Sequence, residues 1–170
     1  MTDEIVNRVA KSSLQQVDLD AWMPKDDEIV ALDMNLFLVD NILFMEKHFR
    51  ESVEKHDFPV YNDKYVYVTN HVEAIVPLWA YMILSTKLKN ARWSGFANSD
   101  SVHNAIIEHI ILNKDLSEYK GKPVIVKGCG KYAFSPNDYM LVTKRLMTVA
   151  KSVMYGEACS SVPVYKQVKK

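Results

Sequence analysis

The chain is 170 residues long, with 48% hydrophobic and 25% charged residues and 21 basic side chains against 21 acidic ones. That length fits one domain with one core rather than two ordinary domains, and the balanced charge offers no general field for a phosphate backbone, which argues against nucleic acid as a partner. The longest apolar run, Ile75 to Leu84, is interrupted by Pro77 and falls short of the roughly 18 residues that span a bilayer, which argues against a membrane.

The opening, Met1-Thr-Asp-Glu-Ile-Val-Asn-Arg8, is acidic before it is apolar, the wrong order for a secretory signal. Two cysteines make no disulfide framework and fit a reducing compartment. A cytoplasmic protein is the expectation. Ile5, Val6, Val9 and Ala10 are spaced as on a short helix, and residues 1–25 read as an N-terminal arm. From Glu28 the pattern alternates, with Val30, Leu32 and Met34 on one side, as in a half-covered strand. Leu36 to Met45 fits either a hairpin partner or a run into a helix, and Glu46 to His56 reads as that helix through Phe49, Arg50 and Val53.

Lys64-Tyr-Val-Tyr-Val-Thr69 is rich in β-branched and aromatic residues and is broken by Asn70 and His71, so a strand ends at Thr69. From Val72 to Leu88 the spacing is helical, with Pro77 near enough the start to be tolerated. Apolar residues from Ile75 to Leu84 cover almost every side of that helix, which calls for a second partner besides the sheet. A homodimer is the simplest source of one. Arg92 to Ala97 reads as a strand, and Asn98-Ser-Asp-Ser101 offers N-caps for the helix that follows. Gly121-Lys-Pro123 punctuates before a strand over Val124 to Lys127. Ser135, Pro136 and Asp138 then open a helix expected to run to Tyr155 with Gly156 as its C-terminal cap. Residues 157–170 read as an extended tail.

Strand and helix alternate with short connections. This predicts a single three-layer α/β domain over residues 1–170, with a mostly parallel sheet of about four to five strands and helices on both faces. In such sheets ligands bind beyond the carboxyl ends of the strands. The loops there are Thr69 to Glu73, Ala97 to Ser101 and Gly128 to Tyr132, and they offer Cys129, His71, Glu73, Asn70, Asn98 and Lys127 as ligand or metal candidates. Cys129, between two glycines, can act as a thiolate nucleophile or a soft metal ligand with His71 as base or second ligand. Lys127 or Lys131 would favour the charged thiol, and the glycines would let backbone N–H groups approach an anion. The competing reading is plain: a cysteine after an apolar strand is often a small buried hydrophobe, and a histidine there is often a loop or capping residue.

A second motif comprises Tyr155, Gly156, Glu157 and Cys159. A helix from Pro136 to Tyr155 would be about 30 Å long, and the residues from Gly156 to Cys159 recover at most about 14 Å. On that reading Cys159 and Cys129 lie at opposite edges of the sheet and meet only across a dimer.

Glu46-Lys-His-Phe-Arg50, Ala74-Ile-Val-Pro-Leu-Trp-Ala-Tyr-Met82, Val126-Lys-Gly-Cys129 and Ser152-Val-Met-Tyr-Gly-Glu-Ala-Cys-Ser-Ser-Val-Pro-Val-Tyr-Lys166 together resemble the bacterial domain of unknown function 2480 family. The resemblance covers nearly the whole chain and implies no established activity. It does imply a cysteine in the loop where this chain has Asn70-His71, and genes lying near those for iron-sulfur cluster assembly. On that basis Cys129 and Cys159 match motif cysteines and His71 stands in for a third thiol. A transition metal or an iron-sulfur cluster is the cofactor so implied.

Three functions follow as expectations. The first is an accessory protein with a thiol-containing ligand or metal site at the sheet rim, serving iron-sulfur biogenesis. The second is a cysteine-dependent small-molecule enzyme with His71 or Glu73 as base. The third is a dimeric protein-interaction module, with or without a further protein partner and without an active site. Whether the chain is an enzyme stays open at this level.

Overall fold

Runs of β-branched and aromatic residues separated by helical segments pair in parallel here, since parallel neighbours need a crossover between them. A computed structural model describes residues 13–71, 74–157 and 160–168. In chain order its main elements are β1 (Gln15–Val17), β2 (Ile29–Asp33), α1 (Glu46–Lys55), β3 (Tyr65–Thr69), α2 (Leu78–Lys87) and β4 (Trp93–Phe96). There follow α3 (Val102–Asn113), β5 (Pro123–Val126), α4 (Pro136–Leu146), β6 (Ser152–Glu157) and β7 (Ser160–Lys166). The helix expected over Ile5 to Ala10 lies outside the described residues.

The α/β class and the mostly parallel pairing hold. The strands, however, are shared between two sheets, β1-β5-β6-β7 and β2-β3-β4, where one sheet of about four to five strands was expected. The chain divides accordingly into two compact units, Met1–Met23 with Ile107–Lys170, and Pro24–Ile106. Alternation of strand and helix cannot say which strands pair, and that is why the division went unread.

In the unit of Pro24–Ile106, Ile29 to Asp33 pairs with Tyr65 to Thr69, and Tyr65 to Val68 with Trp93 to Phe96, all parallel. Leu32 and Val66 are fully buried among Phe37, Phe49, Val53, Ala80 and Leu84. Phe49 and Val53 stand four apart and so share one face of α1. The ambiguous stretch after Met34 is a short 3-10 turn over Met34–Phe37 followed by an isolated bridge between Val39 and Leu43. Pro77 caps α2 with extended backbone, and the described residues before it, 74–76, are not helical. The helix therefore starts later than Val72, because the residue ahead of a proline is pushed out of the helical region.

In the other unit, Val124, Ile125 and Val126 are each at most 3% exposed. A continuous apolar run of this kind suits a strand covered on both faces, and β5 is flanked by β1 and β6, both parallel to it. The three residues of β1 belong to the expected arm. Two expectations about the C-terminal half are corrected. α4 ends at Leu146 rather than Tyr155, where the Val149 and Ala150 N–H groups turn back to the Leu146 carbonyl at 3.0 and 2.8 Å. Gly156 is then no helix cap: it lies inside β6 with φ +110°, opposite Ser161 of β7. The tail is extended, as expected, and pairs antiparallel with β6 as β7.

Candidate functional site

Gly128, Cys129 and Gly130 follow β5 as irregular backbone at the carboxyl end of that strand. The loop is held from below by residues that follow β1. Lys127 Nζ donates to Asp18 Oδ2 at 2.9 Å, and the Asp20 carboxylate accepts the backbone N–H groups of Lys131 and of Tyr132, the latter at 3.2 Å. Asp18 Oδ1 in turn accepts the Asp20 N–H at 3.0 Å. Both glycines are required by close approach. A Cβ on Gly130 would run into the Asp20 carboxylate, and one on Gly128 into the Tyr155 phenol ring.

The Gly128 carbonyl accepts from the hydroxyls of Tyr139 and Tyr155, at 3.5 and 3.4 Å. The two rings meet edge to face, 5.7 Å apart. Burial pushes the Tyr139 phenol above its ordinary range, with Tyr155, Asp20, Asp138 and Cys129 adding to the effect. On the open side, the Cys129 thiol is exposed and donates to Glu157 Oε1 at 3.7 Å. Parallel pairing explains this meeting, because β6 returns to the same rim as β5 and Val126 pairs with Tyr155.

Charges around the thiol are mixed. The Asp18 carboxylate, by hydrogen bond and charge, holds the Lys127 ammonium above its ordinary value, and Cys129 and Glu157 contribute less. Lys127 is therefore committed to Asp18, and the group facing the sulfur is a carboxylate. An exposed thiol beside a carboxylate supplies one soft and one hard donor, a pair that suits zinc or ferrous iron.

The model of the protein of unknown function family DUF2480 matches residues 3–167. The chain belongs to the DUF2480 family. No curated protein matches it, and no solved structure does. Among the described residues of this DUF2480 chain, no helix is long and apolar enough to cross a membrane.

The convergence of three loops on one rim presupposed one sheet. Cys129 and Lys127 follow a strand of the four-stranded sheet, whereas Asn70 and His71 follow β3 and Asn98 follows β4, in the three-stranded one. Asn98 is an N-terminal cap for α3: its Oδ1 accepts the N–H groups of Asp100 and Ser101 at 3.1 and 2.9 Å. Asn70 donates to the Ala74 carbonyl at 3.5 Å, and His71 is exposed. Glu73 and Cys159 lie outside the described residues.

Of the second motif, the structure brings Tyr155 and Glu157 to the Cys129 loop. The separation of Cys159 from Cys129 rested on a helix reaching Tyr155, and that premise does not hold. Among the described residues no group of three or more His, Cys, Asp or Glu side chains is placed to hold a metal ion. Sequence reasoning missed Asp18, Asp20 and Tyr139. The available signal was the acidic pair directly after buried Val17, which marks a strand end only once β1 is recognised.

Proposed function

We propose that the rim formed by β5 and β6 is a thiol-carboxylate ligand site, with Cys129 and Glu157 as donors to a thiophilic divalent metal ion. What carries this reading is the 3.7 Å approach of an exposed sulfur to a carboxylate at the open end of a parallel sheet. Structural metal sites are closed by four protein ligands. Two donors leave open positions, and an ion held in that way exchanges readily with another protein or a small thiol. This suits a cytoplasmic accessory of iron-sulfur cluster biogenesis, the role the family resemblance implies, better than a structural metal centre.

Anaerobic titration of the reduced chain with zinc and ferrous ions tests the reading. Binding that falls about tenfold or more in Cys129→Ser and in Glu157→Gln is the expected result. Equal affinity in all three proteins would refute it. A nucleophilic role for Cys129 is the second reading, favoured by the same contact, with Glu157 in place of His71 or Glu73 as the group within reach. It predicts a burst of a covalent thiol adduct with an acylating or alkylating substrate, lost in Cys129→Ser.

For the expected homodimer, we assign the contact to the other unit. Ile75, Leu78, Met82 and Phe96 are 92, 82, 69 and 67% exposed there. Concentration-dependent dimerisation, weakened by Leu78→Asp, is expected by light scattering, and a strict monomer would remove the dimer.

A further inference from the structure

In the unit that carries Cys129, α4, β5, β6 and β7 together line an open groove of about 420 Å³, within the ~300–1,000 Å³ of small-molecule sites. Its rim is apolar and unusually open to solvent: Met140, Val164, Met147 and Tyr155 are 73, 51, 44 and 41% exposed. A concave site lined mainly by apolar and aromatic side chains with one polar group is the usual composition of a small-molecule site. The lining side chains differ in stiffness. Methionine side chains adapt to the shape of an occupant, whereas Tyr139 and Tyr155 are fixed edge to face and tied to the Gly128 carbonyl.

Charge selects the occupant. Among the described residues lining the groove, Lys144 carries the only charge, and no ion pair with a described residue engages it. A second copy of the chain is disfavoured, because a two-fold contact sets a patch against itself and this patch holds a cation with no acid to answer it. A stable protein partner needs about 800 Å² on each side, more than a groove of this size offers. We propose that the groove binds a small amphiphilic carboxylate, with its apolar body against the methionine and valine side chains and its carboxylate at Lys144 Nζ. The inference goes beyond the metal reading of Cys129 and does not depend on it.

Calorimetric titration of the full chain with decanoate, 1-decanol and acetate tests it. Decanoate is expected to bind at one site, roughly tenfold or more tighter than decanol, with acetate inert, since a charge-assisted hydrogen bond in a groove is worth that factor. Lys144→Gln should remove the preference for decanoate over decanol, and Val164→Asp should abolish binding of both. Both positions are exposed, and retained melting temperatures confirm that the variants fold. Cys129→Ser should bind decanoate as the wild type does, so failure of the metal site and failure of the groove are separable. Decanoate binding that is absent, or unchanged in both groove variants, overturns the proposal. So does a dimer that Val164→Asp dissociates, which would assign the groove to a second copy.

Discussion

Cys129 faces solvent because its neighbours carry no side chains. Gly130 gives the Asp20 carboxylate room to accept the Lys131 and Tyr132 N–H groups, and Gly128 gives the Tyr155 ring room to reach the loop. The thiol is left at the crest of a loop whose base is clamped. Gly130→Ala should therefore destabilise the chain by about 1–3 kcal/mol, the usual cost of forcing a side chain into occupied space. In an Asp20→Ala background the obstacle is gone, so the same change should cost about 0.5 kcal/mol or less, a coupling of the size seen for residues in contact. Urea unfolding of the four proteins in the cycle measures it. Additive effects would mean that the Asp20 carboxylate does not set the requirement for glycine.

At the scale of elements, the opening of α4 carries the clearest prediction. Ser135 Oγ accepts the Asp138 N–H at 3.3 Å, while Asp138 Oδ2 accepts from the Ser135 N–H at 2.7 Å and from its hydroxyl at 2.8 Å. Asp138 is fully buried. Ser135→Ala strips both a cap and a donor to a buried carboxylate, so the loss should sit near ~2 kcal/mol, the upper end for caps. A loss of unfolding free energy below ~0.5 kcal/mol in urea titrations would show that Asp138 is satisfied in another way.

That cap was legible in Ser135-Pro136-Asp138 because capping chemistry is local. So were β2, from its alternation, β4, from the short segment ahead of the Asn98 caps, and β3 and β5, whose β-branched runs end near residues that break strands. β1 and β6 were not. Three residues, Gln15 to Val17, are too few to show a period, and they form a strand only because β5 offers them an edge. Ser152 to Tyr155 continues the apolar spacing of α4 without a proline or glycine until Gly156, so only pairing with β5 and β7 decides for a strand. The meeting of Cys129 with Glu157 depends on that pairing, which is why both residues were legible as candidates, in separate motifs, and their contact was not.

For the molecule as a whole, each unit contains a titratable ring, half-buried His56 in one and buried Tyr119 in the other, and the two limit stability on opposite sides of neutrality. In the unit of Pro24–Ile106, His56 packs against Phe37 and Phe58 at ring distances of 5.2 and 4.9 Å and hydrogen-bonds the Tyr61 hydroxyl at 3.1 Å. Burial pushes its imidazole below the ordinary value, and Asp57 only partly opposes this. Above about pH 6.5 the ring is neutral in both folded and unfolded chains and costs nothing. As the pH falls through that value the unfolded chain takes up the proton first, so stability declines until the folded ring is protonated too. In the other unit, burial, helped by Glu118, pushes the Tyr119 phenol up to about 12. Its contribution is complete below about pH 10 and is lost as the pH rises above it, where the unfolded chain ionises first. Melting temperatures of the wild type, His56→Phe and Tyr119→Phe across pH 5 to 11 test both limits. His56→Phe should flatten the acid decline alone, and Tyr119→Phe the alkaline decline alone. Parallel curves for all three proteins would mean that neither ring sets its limit.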